Sequence, residues 1–272
     1  MASDLVVYDT RGPAAIIRMN NPAHRNPMSK DLLDQLSAAV TRASADSAVR
    51  AIIITGTGPA FCAGMDLTEA RASLARGTSA ATGTDWPEAR HGEEVRDQVY
   101  NCGKPTIAAV SGVAVGNGAR LVSVCDIALM ASEARIGYPE MRLGIQAAMV
   151  VLHLMRLVGE RVSRYLLLTG ELIDAQTAQQ IGLVNRVVPG NQLLEAAVDC
   201  AIKIGLNARQ AEAKTKLLLR RFCILRSGLS ERAHRDVRAD GAPPVRQALD
   251  APDEGEVTRA ARAAVAGRIS CW

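Results

Sequence analysis

The chain has 272 residues, 48% of them hydrophobic and only 3% aromatic, and a formal net charge of +4. That length suits one large domain or two small ones. The shortage of aromatic side chains excludes recognition by stacked aromatic platforms of the kind that hold single-stranded nucleic acid, and the mild positive charge fits an anionic small ligand or simply a solvated surface. Six cysteines, at 62, 102, 125, 200, 223 and 271, form no CxxC pair and no metal-ligand spacing with His24, His91, His153 or His234. No metal site is expected, and reduced thiols in an intracellular, cytoplasmic protein are the simpler reading. The amino-terminal MASDLVVYDT lacks the basic–apolar–small pattern of a secretory signal, and no apolar run approaches the length of a membrane span.

In chain order, residues 5–8 (LVVY) and 14–17 (AAII) read as short strands around Arg11-Gly12-Pro13. After a break at Asn20-Asn21-Pro22, Ser29 is placed as the N-cap of a helix with Leu32, Leu36 and Val40 on one face. Residues 51–55 (AIIIT) form a continuous apolar run closed by Gly56-Thr57-Gly58, the pattern of a strand buried on both faces of a parallel sheet. Residues 106–110 and 125–130 repeat that pattern, with helical stretches between, so the fold class is α/β with parallel pairing. Residues 77–90 (GTSAATGTDWPEAR) read as a surface loop, either a lid or an inert insertion. From Leu193 strand signals stop. Residues 193–238 read as helices rich in Arg and Lys, Gly241-Ala242-Pro243-Pro244 interrupts them, and 254–266 is assigned a last helix. The expected division is a core at 1–192 and a helical region at 193–272.

Two stretches carry the chemistry. Residues 61–67 (FCAGMDL) and 112–118 (GVAVGNG) each place glycine and small residues between an apolar run and a helix. Two such turns can aim backbone N–H groups at one ligand oxygen, which is what an oxyanion hole built from main chain requires. The second spells GxxxGxG, which is neither GxGxxG nor GxxxxGK[ST], so it makes a poor dinucleotide or P-loop motif.

Further motifs surround these turns: Asn26-Pro27-Met28-Ser29, residues 104–110 (KPTIAAV), Cys125-Asp126, Pro139-Glu140, and Leu168-Thr169-Gly170 followed by Ala175, Ala178 and Gly182-Leu183-Val184. In this order and spacing they resemble the enoyl-CoA hydratase/isomerase (crotonase) superfamily over residues 5–189, and weakly beyond. The resemblance implies a crotonase-like spiral of ββα units with a C-terminal helical trimerisation region, assembled as a homotrimer or as a hexamer of two trimers. It implies an acyl-CoA thioester substrate, with coenzyme A as part of that substrate and no separate cofactor. The thioester oxygen would accept hydrogen bonds from the backbone N–H groups of Met65 and Asn117, which stabilise an enolate, and Glu140 would transfer the proton. Arg25, Ala63, Asp66 and Leu67 would lie along the coenzyme A moiety, with helix capping as the structural alternative for Asp66.

The chain departs from the hydratase pattern at two places. Where hydratases of the family carry a first glutamate after the glycine turn, this chain has Arg120, which cannot act as a base. Arg120 either faces the pocket, binding a substrate carboxylate or pairing with Glu140, or points away along its helix. In the pocket, its charge would lower the pKa of Glu140. The second departure is residues 144–150 (GIQAAMV), where bulkier apolar residues would reshape the acyl pocket. The leading expectation is hydration of a 2-enoyl-CoA. The alternatives are a 3-enoyl to 2-enoyl-CoA isomerase using Glu140 alone, or a catalytically weak homologue that binds CoA or RNA. A dense basic–aromatic patch is missing, so no nucleic-acid partner is expected, and no membrane partner either. His153 is read as a satisfied core histidine, Cys62 and Tyr138 as packing residues, and residues 214–235 as a solvated helical face.

Overall fold

The computed structural model describes residues 4–75, 87–143 and 148–225. β1 (Val6–Arg11) and β2 (Ala14–Met19) form an antiparallel hairpin. α1 (Lys30–Ala45) starts at Ser29, whose side-chain oxygen accepts from the Leu32 N–H at 3.3 Å, and Leu32, Leu36 and Val40 lie on its buried face as expected. The chain then runs through β3 (Ala51–Gly56), β4 (Ala60–Cys62), α2 (Leu67–Ala75) and α3 (Pro87–Asn101). A second unit follows, β5 (Thr106–Val110), β6 (Val113–Val115) and α4 (Asn117–Val124). The third comprises β7 (Ile127–Ala131), β8 (Arg135–Gly137), a 3-10 turn at Pro139–Leu143 and α5 (Ala148–Thr169), which is broken at Gly159. β9 (Leu172–Asp174), α6 (Ala175–Gln180), β10 (Arg186–Val188), α7 (Leu193–Gly205) and α8 (Arg209–Leu225) complete the described chain.

From β3 to β8 successive strands alternate between two sheets: β3, β5 and β7 join a six-stranded sheet ordered β1-β2-β3-β5-β7-β10, and β4, β6 and β8 join a four-stranded sheet ordered β4-β6-β8-β9. All pairings are parallel except β1 with β2 and β8 with β9. This is the mixed α/β spiral that the ββα pattern implies. β3 sits between parallel neighbours, and its Ile52, Ile53 and Ile54 are all fully buried. A fully buried isoleucine contributes roughly 1.5–3 kcal/mol, which accounts for the unbroken apolar run. α7 packs across β2, β3, β5 and β7. Among the described residues no helix is long and apolar enough to cross a membrane.

Two expectations need correction. The loop expected through residue 90 gives way to α3 at Pro87, where proline suits a first helical position because its missing N–H is not needed there. Residues 77–86 lie outside the described chain, as do 226–272 with the last helix expected at 254–266. The second correction concerns Lys216 on α8, which is not solvated. It is buried, and its Nζ donates to the Lys104 carbonyl at 2.6 Å and to Asp126 Oδ2 at 2.5 Å. Asp126 also accepts from the Thr106 N–H and hydroxyl, at 2.7 and 2.9 Å. A carboxylate at the end of the large sheet thus takes its counter-charge from α8, because a charge withdrawn from water needs a partner.

Candidate active site

The structure brings the two glycine turns together. Gly64 has φ 95°, and a Cβ built there would sit 3.0 Å from the Val115 carbonyl and 3.7 Å from the Asn117 amide nitrogen. Only glycine fits both the angle and the approach. Met65 follows at once, bridged to Met28, whose N–H donates to the Gly64 carbonyl at 2.8 Å. Asn117 is the first residue of α4, and amides in the first turn of a helix have no intrahelical acceptor. Met65 and Asn117 are both half-buried, on facing turns.

Glu140 lies beside the second turn. Gly116, with φ 53°, is the N-cap of α4, and a Cβ built there would lie 3.4 Å from Glu140 Oε1. The Gly116 N–H donates to the Gly137 carbonyl at 3.0 Å, tying the α4 start to the strand end that leads into the Glu140 turn. Glu140 Oε2 is buried without a hydrogen-bond partner. Burial raises the Glu140 pKa above the ordinary carboxylate value, while its own amide and the charges of Arg120 and Arg96 pull it down without cancelling the rise. The Arg120 charge does lower the Glu140 pKa, as expected of a nearby cation, but desolvation outweighs it and the net shift is upward.

Arg120 neither pairs with Glu140 nor points into solvent. It is 6% exposed, and its Nη1 and Nη2 donate to the two carboxylate oxygens of Glu93 on α3, a bidentate pair. Arg96, one turn along α3 and 2% exposed, donates from Nη2 to Glu93 Oε1 at 2.5 Å and from Nη1 to Met28 Sδ at 3.7 Å. Burial would raise the Glu93 pKa, but its Arg120 hydrogen bonds and the Arg96 charge hold it below the ordinary value. Burial and the neighbouring Arg120 charge bring Arg96 down to about 10. α3 is thus keyed to the helix that starts at Asn117 and to the strand bridge at Met28. Sequence reading missed Glu93 and Arg96. The available signal was Arg96 on the inward stripe Gly92, Val95, Arg96 and Val99, whose spacing is that of one helix face.

The other candidates divide. Arg25 is exposed in a left-handed conformation, φ 61°, and its carbonyl accepts from the Ala63 N–H at 2.9 Å, so these two residues do meet. Asp66 Oδ1 accepts from the Thr68 and Glu69 N–H groups at 2.9 and 3.1 Å, capping α2 and setting Leu67 as its first residue. Cys62 is fully buried and its thiol is pushed up to about 12, which leaves no nucleophilic thiolate. Tyr138 is buried with its hydroxyl 2.7 Å from Ser123 Oγ, and burial raises its pKa. His153 stacks edge-on against Tyr100, but its buried Nδ1 has no partner, contrary to the expectation of a satisfied histidine. Burial and the nearby Arg120 charge bring it down to about 4, so the ring is neutral at pH 7. Residues 144–147 lie outside the described chain. Among the described residues there is no cluster of three or more His, Cys, Asp or Glu that could hold a metal.

A two-sheet spiral that sets two glycine turns and one desolvated carboxylate side by side defines an α/β enzyme of the crotonase fold. The enoyl-CoA hydratase/isomerase profile matches residues 10–229, and the chain belongs to that enzyme family. The 2,3-dehydroadipyl-CoA hydratase of Escherichia coli (strain K12) is 37% identical over 219 residues, which is 79% of this chain and 82% of the relative. The crystal structure of an enoyl-CoA hydratase/isomerase from Xanthobacter autotrophicus Py2 matches with a TM-score of 0.77 at 31% identity, covering 98% of this chain and 97% of the other. A monofunctional enoyl CoA isomerase from M. smegmatis matches with a TM-score of 0.70 at 26% identity, covering 84% and 98%.

Proposed function

We propose that the chain converts a 3-enoyl-CoA thioester to its 2-enoyl isomer, with Glu140 as the single proton carrier. The observation that supports this reading is the placement of carboxylates. Glu140 lies against the Gly116–Asn117 turn, whereas Glu93 is engaged by Arg120 and Arg96. In the proposed step the Glu140 carboxylate takes a proton from C2. The electron pair shifts onto the thioester oxygen, where the N–H groups of Met65 and Asn117 stabilise the enolate. The double bond then moves from C3–C4 to C2–C3 as Glu140 returns the proton to C4, so the substrate and product have the same composition. Removing one backbone donor of this kind typically costs about 3–4 kcal/mol of barrier. Arg25, Ala63, Asp66 and Leu67 are assigned to the coenzyme A side, with Arg25 set for phosphate. The region 193–272 is assigned to trimerisation. The step needs no cofactor beyond the coenzyme A of the substrate.

Hydration of a 2-enoyl-CoA is the second reading. The raised pKa of Glu140 favours it, since hydration ends with a carboxylic acid protonating C2. Incubating purified protein with matched 2-enoyl- and 3-enoyl-CoA thioesters, and resolving products by mass and retention time, separates the two. Isomerisation leaves the mass unchanged, and hydration adds one water. A dominant hydrated product would replace the first reading with the second.

A further inference from the structure

We propose that Arg96 and Arg120 bind a carboxylate carried by the acyl group, so that the substrate is an enoyl-CoA whose acyl chain ends in an acid. The proposal rests on the acyl-CoA reading above, because it needs the acyl chain to run past Glu140.

Charge is the first argument. Two guanidiniums share one carboxylate, Glu93, which leaves one positive charge over. Both arginines are more than nine-tenths buried, and a buried charge without a counter-ion is costly. The other groups bearing on the cluster do not remove the excess permanently. His153 on α5 is neutral at pH 7, and Arg156 on α5 adds positive charge near His153; the Asp97 carboxyl on α3 feels both arginine charges but is exposed, where solvent screens it. Glu140 balances the excess only while ionised, and any proton-transfer cycle makes it neutral.

The second argument is the donors. A guanidinium has five N–H groups. Glu93 takes two from Arg120 and one from Arg96, and Met28 Sδ takes a weak one from Arg96. The Nε of each arginine is buried without a partner, as are His153 Nδ1 and Glu140 Oε2. These four atoms come from α3, α4, α5 and the 3-10 turn, and the Arg96 and Arg120 charges act on both Glu140 and His153. An unsatisfied polar group out of reach of water carries a desolvation cost, and a ligand carboxylate, which only accepts, can offset it at the two arginine Nε–H donors but not at the Glu140 oxygen. A planar monoanion matches the guanidinium fork and the single excess charge, and Glu93 already shows how Arg120 takes a carboxylate in two parallel bonds.

Saturated thioesters test binding apart from turnover. The affinities of hexanoyl-CoA and hexanedioyl-CoA are measured by calorimetry on the parent, Arg120→Met, Arg120→Lys and Arg96→Met, each checked for folding by its melting curve. The parent is expected to bind hexanedioyl-CoA about tenfold tighter than hexanoyl-CoA, the scale of one charge-assisted hydrogen bond. That ratio should fall to about one in Arg120→Met and to an intermediate value in Arg120→Lys, which keeps the charge and loses the fork. Because coenzyme A is common to both ligands, its phosphates cancel in the ratio. A parent that binds both equally overturns the proposal alone, and so does a preference that survives in folded Arg120→Met. A folded parent that binds neither thioester overturns the acyl-CoA reading and this proposal with it.

Discussion

α4 carries Asn117 at its start and Arg120 one turn later, and different physics holds those two ends in place. The Asn117 end is fixed by main chain: a left-handed Gly116, a close approach at Gly64 and a hydrogen bond from the Gly116 N–H to the Gly137 carbonyl. The Arg120 end is fixed by charge, through Glu93 and Arg96 on a helix distant in sequence. A site half built from backbone tolerates a change of side chain wherever the new residue can adopt the same angles. A half built from buried charges does not, because removing one member strands the others. Glu140 faces both halves, so its behaviour reports on each.

The largest effect is expected at Glu140 itself. Glu140→Gln should retain fold and thioester binding and lose turnover by about 10²–10⁴-fold, the usual contribution of a positioned acid or base. Near-parent turnover in that variant, measured under saturating 3-enoyl-CoA, would remove Glu140 from the mechanism.

The backbone half is tested at Asn117. Asn117→Gly keeps the N–H and should stay active, whereas Asn117→Pro deletes the donor and should lose about 10²–10³-fold in kcat. A folded but inactive glycine variant would show that the Asn side chain matters, which breaks the comparison on its backbone side.

On the charge side, Glu93→Gln leaves Arg96 and Arg120 without an ionised partner. Breaking a buried pair by removing one member costs about 3–5 kcal/mol, so denaturant melts should show a large loss. Arg120→Met should cost less, because Glu93 keeps Arg96. The sign with pH follows from the lowered Glu93 pKa. The stability it contributes is present above the ordinary carboxylate value and is lost as pH falls through the folded value. Acid unfolding of the parent should therefore include this loss, and Glu93→Gln should lack it. The smallest effect is a control far from the site. Ser29→Ala removes the α1 cap and should cost about 1 kcal/mol with no change in the pH dependence of turnover.

The same contrast explains what was legible in the sequence. β3, β5 and the turns at 64 and 116 are local patterns, a run of isoleucines or a glycine between strand and helix, and they were read correctly. β4, β6, β8 and β9 have only three residues each, too few for a period to show, so the second sheet entered only through the family resemblance. Arg120 stood out as a departure from the hydratase pattern, but its partner did not. Glu93 lies 27 residues away on α3, and nothing local announces a contact made by packing one helix on another. Lys216 was hidden for the same reason: its Asp126 is 90 residues distant. His153 was read from its apolar neighbours, which correctly gave burial but not the absence of a partner for Nδ1.

The central claim is that Glu140 is the proton-transfer group, with a pKa set by desolvation against two nearby cations. The pH profile of kcat/KM for a 3-enoyl-CoA tests it most directly, since that parameter reports ionisations of the free enzyme. A base must be ionised, so activity should fall on the acid side through a single step above the ordinary glutamate value, matching the raised pKa. Arg120→Met removes a cation that favours the ionised form, so its step should move to higher pH. Glu93→Gln increases the positive excess, so its step should move lower. An acid limb at or below the ordinary glutamate value in the parent, or one that stays in place in both folded variants, would contradict the account.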